Sequence, residues 1–128
     1  AFDFINQKPD KFNEFLAEGG SNMSGGQKQR LSIARAIVKK PDIYIFDDSF
    51  SALDYQTDVK LRTALNSITK ESTVLIVAQR VSTIMNADKI LVLNEGNVVA
   101  EGTHRELLKT CDIYYDIASS QLTKEELE

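Results

Sequence analysis

The hydrophobic positions of this chain fall into two rhythms, one of helices and one of short strands. Leu31, Ala34, Ile37 and Val38 recur at helical spacing, with Ser24-Gly25-Gly26 before them and Pro41 after them. That predicts a helix opening at the glycines and stopped by the proline, with Lys39 and Lys40 suiting its negative end. A second helix is predicted over Tyr55 to Thr69, where Leu61, Ala64, Leu65 and Ile68 share one side and Asp54 is placed to cap it. Between the two helices, Ile43-Tyr44-Ile45-Phe46 is a continuous apolar run, the pattern of a parallel strand covered on both faces, and Thr73 to Ala78 reads as a second such buried strand. Phe2 to Leu16 has helical character interrupted at Lys8-Pro9, with Phe12, Phe15 and Leu16 at helical spacing. Lys89 to Leu93 and Val98 to Glu101 flank Asn94-Glu95-Gly96-Asn97, a hairpin signal that is not a strict two-residue one. Thr103-His104-Arg105-Glu106 reads as a capping box that opens a last helical region. Strands alternating with helices predict an α/β fold.

Composition narrows the class. A chain of 128 residues with 42% hydrophobic residues fits one domain with a real core. The net charge of −4 argues against a dominant nucleic-acid surface, which needs clustered excess Lys and Arg. The basic stretch from Gln27 to Lys40 fits a solvated helix face better than such a surface. One cysteine, Cys111, cannot form an internal disulfide, so the chain reads as intracellular, and no His stands near it in a nucleophile motif. The longest apolar run, Val74 to Ala78, is far too short to span a bilayer. Lys124 to Glu128 reads as a solvated acidic tail, and His104 as structural or exposed. The opening AFDFINQ lacks an initiator Met, so a fragment is expected.

In α/β sheets, ligands sit beyond the carboxyl ends of the strands, and Asp47, Asp48 and Gln79 all stand at such ends. Two acids closing a strand suit a hydrated Mg²⁺, which takes one or two carboxylates and keeps waters and phosphate oxygens elsewhere. The pair alone serves equally as loop acids or caps. In NMSGGQKQR, the glycines remove Cβ atoms where a helix begins, leaving backbone N–H groups and the positive dipole end open to an anion, and Ser24 adds a hydroxyl. A glycine-rich helix start is also commonly just a turn.

The order of these pieces resembles the C-terminal part of an ATP-binding cassette (ABC) nucleotide-binding domain of exporter type. NMSGGQKQRLSIARA is similar to the family's signature loop and helix, usually LSGGQ, with Met23 in place of Leu. IYIFD resembles the Walker B strand, and Ser51 to Asp54, SALD, the D-loop. VAQRVSTIMNADKILVLNEGNVVAEGTHRELL resembles the switch-loop region with the sheet and helix after it. The resemblance implies a partial P-loop NTPase-like parallel sheet with flanking helices. Residues 1–26 would be the end of a helical subdomain with the signature loop, and 27–128 the C-terminal part of the ATPase core with a helical tail. No G-x-x-x-x-G-K-[ST] occurs, so the Walker A phosphate cradle is absent from this sequence.

The departures from the family pattern matter most. By resemblance, Asp47 would hold Mg²⁺ through water, and the next position, normally a Glu that polarises the attacking water, is Asp48. The switch position, normally a His that contacts the γ-phosphate, is Gln79, which can hydrogen-bond but carries no proton at neutral pH. Both point to the degenerate half of a heterodimeric exporter. Ser24, Gly25, Gly26 and Gln27 would then serve ATP bound on a second nucleotide-binding domain, with Ser51 and Asp54 at the dimer interface. The implied cofactors are ATP and Mg²⁺, and the implied partners are that second domain and the transmembrane domain of the same transporter. The parent would lie at the cytoplasmic face of the membrane, with this portion itself soluble and inactive alone. Competing readings are an ABC-type ATPase of translation or DNA repair, disfavoured by the run from Val77 to Leu108, and an acidic-pocket receiver domain. The receiver pocket needs a further Asp and a Lys at strand ends, where Gln79 and Asn94 stand.

Overall fold

The computed structural model describes residues 1–127. Its contacts divide it into two compact units, Ala1–Val77 and the remainder from Ala78.

The first unit opens with helix α1 (Phe2–Asn6), which ends at Gln7. The helical character expected through Leu16 stops there. Pro9 lacks an N–H and disfavours helical backbone at Lys8, and Lys11 adopts a left-handed φ of 49°. Only a 3₁₀ turn, Lys11–Asn13, follows. Phe12 and Phe15 are left 68% and 78% exposed, so their spacing has no apolar face to bury and cannot offset the cost of a helical nucleus. Helix α2 (Gly25–Val38) begins as expected with Ser24 as N-cap in a full capping box with Gln27. It ends before Lys40, whose φ of 44° leaves the helical region, and Pro41.

Strand β1 (Ile43–Asp47) leads through a loop to helix α3 (Tyr55–Ile68), whose N-cap Asp54 accepts from Thr57 N at 2.9 Å. Strand β2 (Thr73–Val77) returns parallel to β1, with Ile43 opposite Thr73 and Asp47 opposite Val77. Tyr44 and Phe46 pack with Ile33 of α2, Leu65 of α3, Phe50 and Leu53 in one core. Each such side chain contributes about 1.5–3 kcal/mol of burial. The expectation of strands covered on both faces fails. Both helices feed the same core, Ile43 and Ile45 remain 60% and 66% exposed, and no residue of β2 is fully buried. A strand reads as continuous apolar sequence whether or not its second face is covered within the unit.

The second unit comprises helix α4 (Val81–Ile84), strands β3 (Ile90–Asn94) and β4 (Asn97–Gly102), and helices α5 (His104–Thr110) and α6 (Asp112–Ser119). The antiparallel β3–β4 pair corrects the turn expectation: Asn94 pairs with Asn97, so the loop is the two residues Glu95 and Gly96. Both are left-handed, with φ of 47° and 78°, as a type I′ turn requires. A bulge after Val92 shifts the register, Val92 facing Ala100 and Leu93 facing Val98. The core joins Val81, Ile90, Val92, Leu107, Cys111, Tyr114 and Ala118. Thr103 and Glu106 form the expected capping box. His104 is buried, its Nδ1 2.7 Å from Tyr114 Oη, a structural contact. Within the expected acidic tail, Lys124–Glu126 form a 3₁₀ turn capped by Thr123, and its last residue lies outside the described residues. Among the described residues, no helix is long and apolar enough to cross a membrane.

Candidate functional site

In the first unit the two acids sit where β1 ends. Asp47 is its last residue, and Asp48 takes a left-handed φ of 46°. Asp and Asn tolerate that region better than other residues with a Cβ. The backbone N–H of Asp48 donates to Val77 O at 3.1 Å, which extends the parallel pairing one step past the strand. Ser51 Oγ lies 3.0 Å from Asp48 Oδ2 and 3.1 Å from Asp48 O, donating to them. The Asp47 carboxylate is exposed and makes no hydrogen bond or ion pair among the described residues. Among those residues no cluster of three or more His, Cys, Asp or Glu forms a closed metal cage. One free carboxylate at a strand end still fits Mg²⁺, which binds through one or two carboxylates and retains several waters.

The start of α2 is built for a different task. Ser24 Oγ accepts from Gln27 N at 3.3 Å, and Gln27 Oε1 accepts from Ser24 N at 2.9 Å, so each side chain serves the other's backbone. The N–H groups of Gly25 and Gly26 have no intrahelical acceptor, as in any first helical turn. The glycines also allow a close approach. A Cβ on Gly26 would come within 3.0 Å of Ala52 O, and one on Gly25 within 3.3 Å of Ala52 Cβ. Helix start and loop therefore touch backbone to backbone. Asp54 closes the same loop. Hydrogen bonds from Thr57, hydroxyl first and backbone N–H second, hold its carboxyl below its ordinary value of 3.8, with Arg30 adding a smaller electrostatic pull.

Gln79 belongs to the second unit, in the exposed bend before α4. Its backbone is pinned by Gln121, whose Nε2 donates to Gln79 O at 3.0 Å while Oε1 accepts from Val81 N at 2.9 Å. The first unit thus brings Asp48 and Ser51 into direct contact and sets Gly25 and Gly26 against the loop that carries Ser51 and Asp54. Two residues escaped the sequence reading. Gln121 is one. The other is Gln29, whose Nε2 donates to Asp48 O and to Ser51 Oγ, both at 3.0 Å, and whose Oε1 accepts from Ala52 N at 3.0 Å. A faint signal existed: Gln29 stands three and four residues after Gly26 and Gly25, on the helix face those glycines leave bare.

Comparison with known proteins places this geometry. The family described as ABC transporter matches residues 4–51. The chain is 47% identical over 121 residues to ATP-binding cassette sub-family B member 5 of Mus musculus, covering 94% of this chain and 10% of that protein. It is 40% identical over its full length to multidrug resistance protein 1 of Entamoeba histolytica, again 10% of the relative. A solved structure of a bacterial Atm1-family ABC exporter with ATP bound superposes with a TM-score of 0.90 at 36% identity, covering 95% of this chain and 22% of that one. The chain therefore spans only a small part of the length of these relatives.

Proposed function

We propose that this chain is part of an ABC transporter nucleotide-binding domain of exporter type, that it belongs to the ATP-hydrolysing subunit of an exporter, and that it contributes a weakened site of its own while completing a competent one elsewhere. Asp47 would hold Mg²⁺ through water. Asp48 stands where a glutamate would polarise the attacking water, and Gln79 where a histidine would contact the γ-phosphate. Ser24, Gly25, Gly26 and Gln27 would face ATP held by a second nucleotide-binding domain, the other half of a heterodimer, with Ser51 and Asp54 at the interface. The transmembrane domain of the same transporter is the other partner, which puts the parent at the cytoplasmic face of the membrane. Residues 1–26 would close a helical subdomain and 27–128 continue the ATPase core.

The observation that carries this reading is the contrast between the two halves of the site. The helix start keeps its capped, glycine-lined N–H groups. Asp48, one methylene shorter than glutamate, has its carboxylate occupied by Ser51. A positioned acid or base is worth roughly 10²–10⁴-fold in rate, so the loss of reach at Asp48 and of a proton carrier at Gln79 would nearly silence this site. Without the Walker A loop, the 128-residue chain alone would not turn over ATP.

The test is Asp48→Glu with Gln79→His in the full-length protein assembled with its partner. Turnover assigned to this chain's own site should rise by about tenfold or more. No gain from the double change would sink the degenerate-site reading.

A further inference from the structure

The loop after β1 is held in place by a residue that the proposed function leaves idle. Gln29 makes all three of its side-chain bonds to residues 48–52, and their directions are fixed by chemistry. The Ala52 N–H can only donate and the Asp48 carbonyl can only accept, so the amide oxygen must face Ala52 and the NH₂ must face Asp48. Its second N–H then goes to Ser51 Oγ. With that oxygen accepting, the single hydroxyl proton of Ser51 is directed to Asp48, whose Oδ2 lies at 3.0 Å. A continuous path runs from α2 through Gln29 and Ser51 to the Asp48 carboxylate. The close approach of Gly25 and Gly26 to Ala52 leaves that path little slack.

We infer that Gln29 is a positioning residue: through Ser51 and the Asp48 carbonyl it holds both the carboxylate and the left-handed backbone of Asp48, and it ties the start of α2 to the acidic loop. The inference rests on the reading of Asp48 and of the α2 start given under Proposed function. It adds that two elements serving different nucleotides are joined by one carboxamide.

The experiment compares Gln29→Ala and Gln29→Glu in the full-length protein assembled with its partner. Amide hydrogen exchange is followed over residues 48–53, and ATP turnover is resolved into kcat and KM. Glutamate keeps nearly the same volume and can accept from Ala52, but it has no N–H for Asp48 or Ser51. A residue that only filled space would tolerate it. Both variants should speed exchange in this loop by roughly tenfold. Both should lower the kcat of the assembled pair by about tenfold, through the α2 start that faces the partner's nucleotide, with KM changed by less than about twofold. Ser51→Ala should leave exchange at Ala52 unchanged, because the Gln29–Ala52 bond survives. Unchanged exchange in the Gln29 variants, or faster exchange with unchanged kcat, overturns the inference. If the unaltered assembly does not hydrolyse ATP, the functional reading fails and the effect of Gln29 on turnover fails with it; the exchange comparison still decides separately whether Gln29 holds the loop.

Discussion

Ser24 does two things with one oxygen. It accepts the Gln27 N–H that caps α2, and its own proton remains available for an anion at the helix start. The two roles separate in Ser24→Asp, because aspartate caps a helix as well as serine but brings a negative charge to the place where a phosphate would sit. Thermal stability should stay near that of the unaltered protein, while ATP turnover of the assembled pair should fall by about tenfold or more. Equal turnover would count against the proposed role of the α2 start in a partner's site. The placement of Asp47, Asp48 and Gln79 at or just past strand ends was legible in the sequence, and strand ends in α/β sheets are where ligands gather. Gln29 left only a faint signal, since its partners lie 19 to 23 residues away and only the packing of α2 on the loop brings them within reach.

At the scale of elements, the capped helices were the readable part and the strands' surroundings were not. Ser24, Asp54 and Thr103 each announce a helix through a side chain that satisfies an orphan N–H two or three residues on, a purely local interaction. Whether Ile43 and Ile45 are covered depends on which layers lie over them, and a run of apolar letters is silent on that. The caps also predict an acid response. Thr57 lowers the Asp54 carboxyl from 3.8, and Thr103, backbone N–H first and hydroxyl second, lowers the Glu106 carboxyl from 4.5. A carboxyl whose folded value is depressed stabilises the fold above its ordinary value, and this contribution is lost as pH falls through the lowered one. Protection of the first turns of α3 and α5 should therefore be full at neutral pH and decline on acidification below about pH 4.5. Asp54→Asn and Glu106→Gln, titrated by amide exchange, should flatten that decline. A profile as steep in the variants as in the parent would assign the acid response to other groups.

At the scale of the whole chain, apolar surface outruns what is covered. Ile43, Ile45 and Val77 of the parallel pair, and Leu91, Leu93 and Val98 of the hairpin, all lie exposed. Each sheet among the described residues has only two strands, so every strand keeps an unpaired edge. The isolated 128-residue chain is accordingly expected to self-associate, with concentration-dependent sedimentation and a broad thermal transition. A sharp transition in a dilute sample shown to be monomeric would contradict this. The left-handed backbone of Asp48 adds a last consequence. A longer side chain is less at home there, by about 1–2 kcal/mol for an ordinary residue. The acid with the poorer reach is thus the one that the turn accepts more easily. On the function proposed above, Asp48→Glu would set activity against stability, raising the rate and lowering the melting temperature in the same molecule.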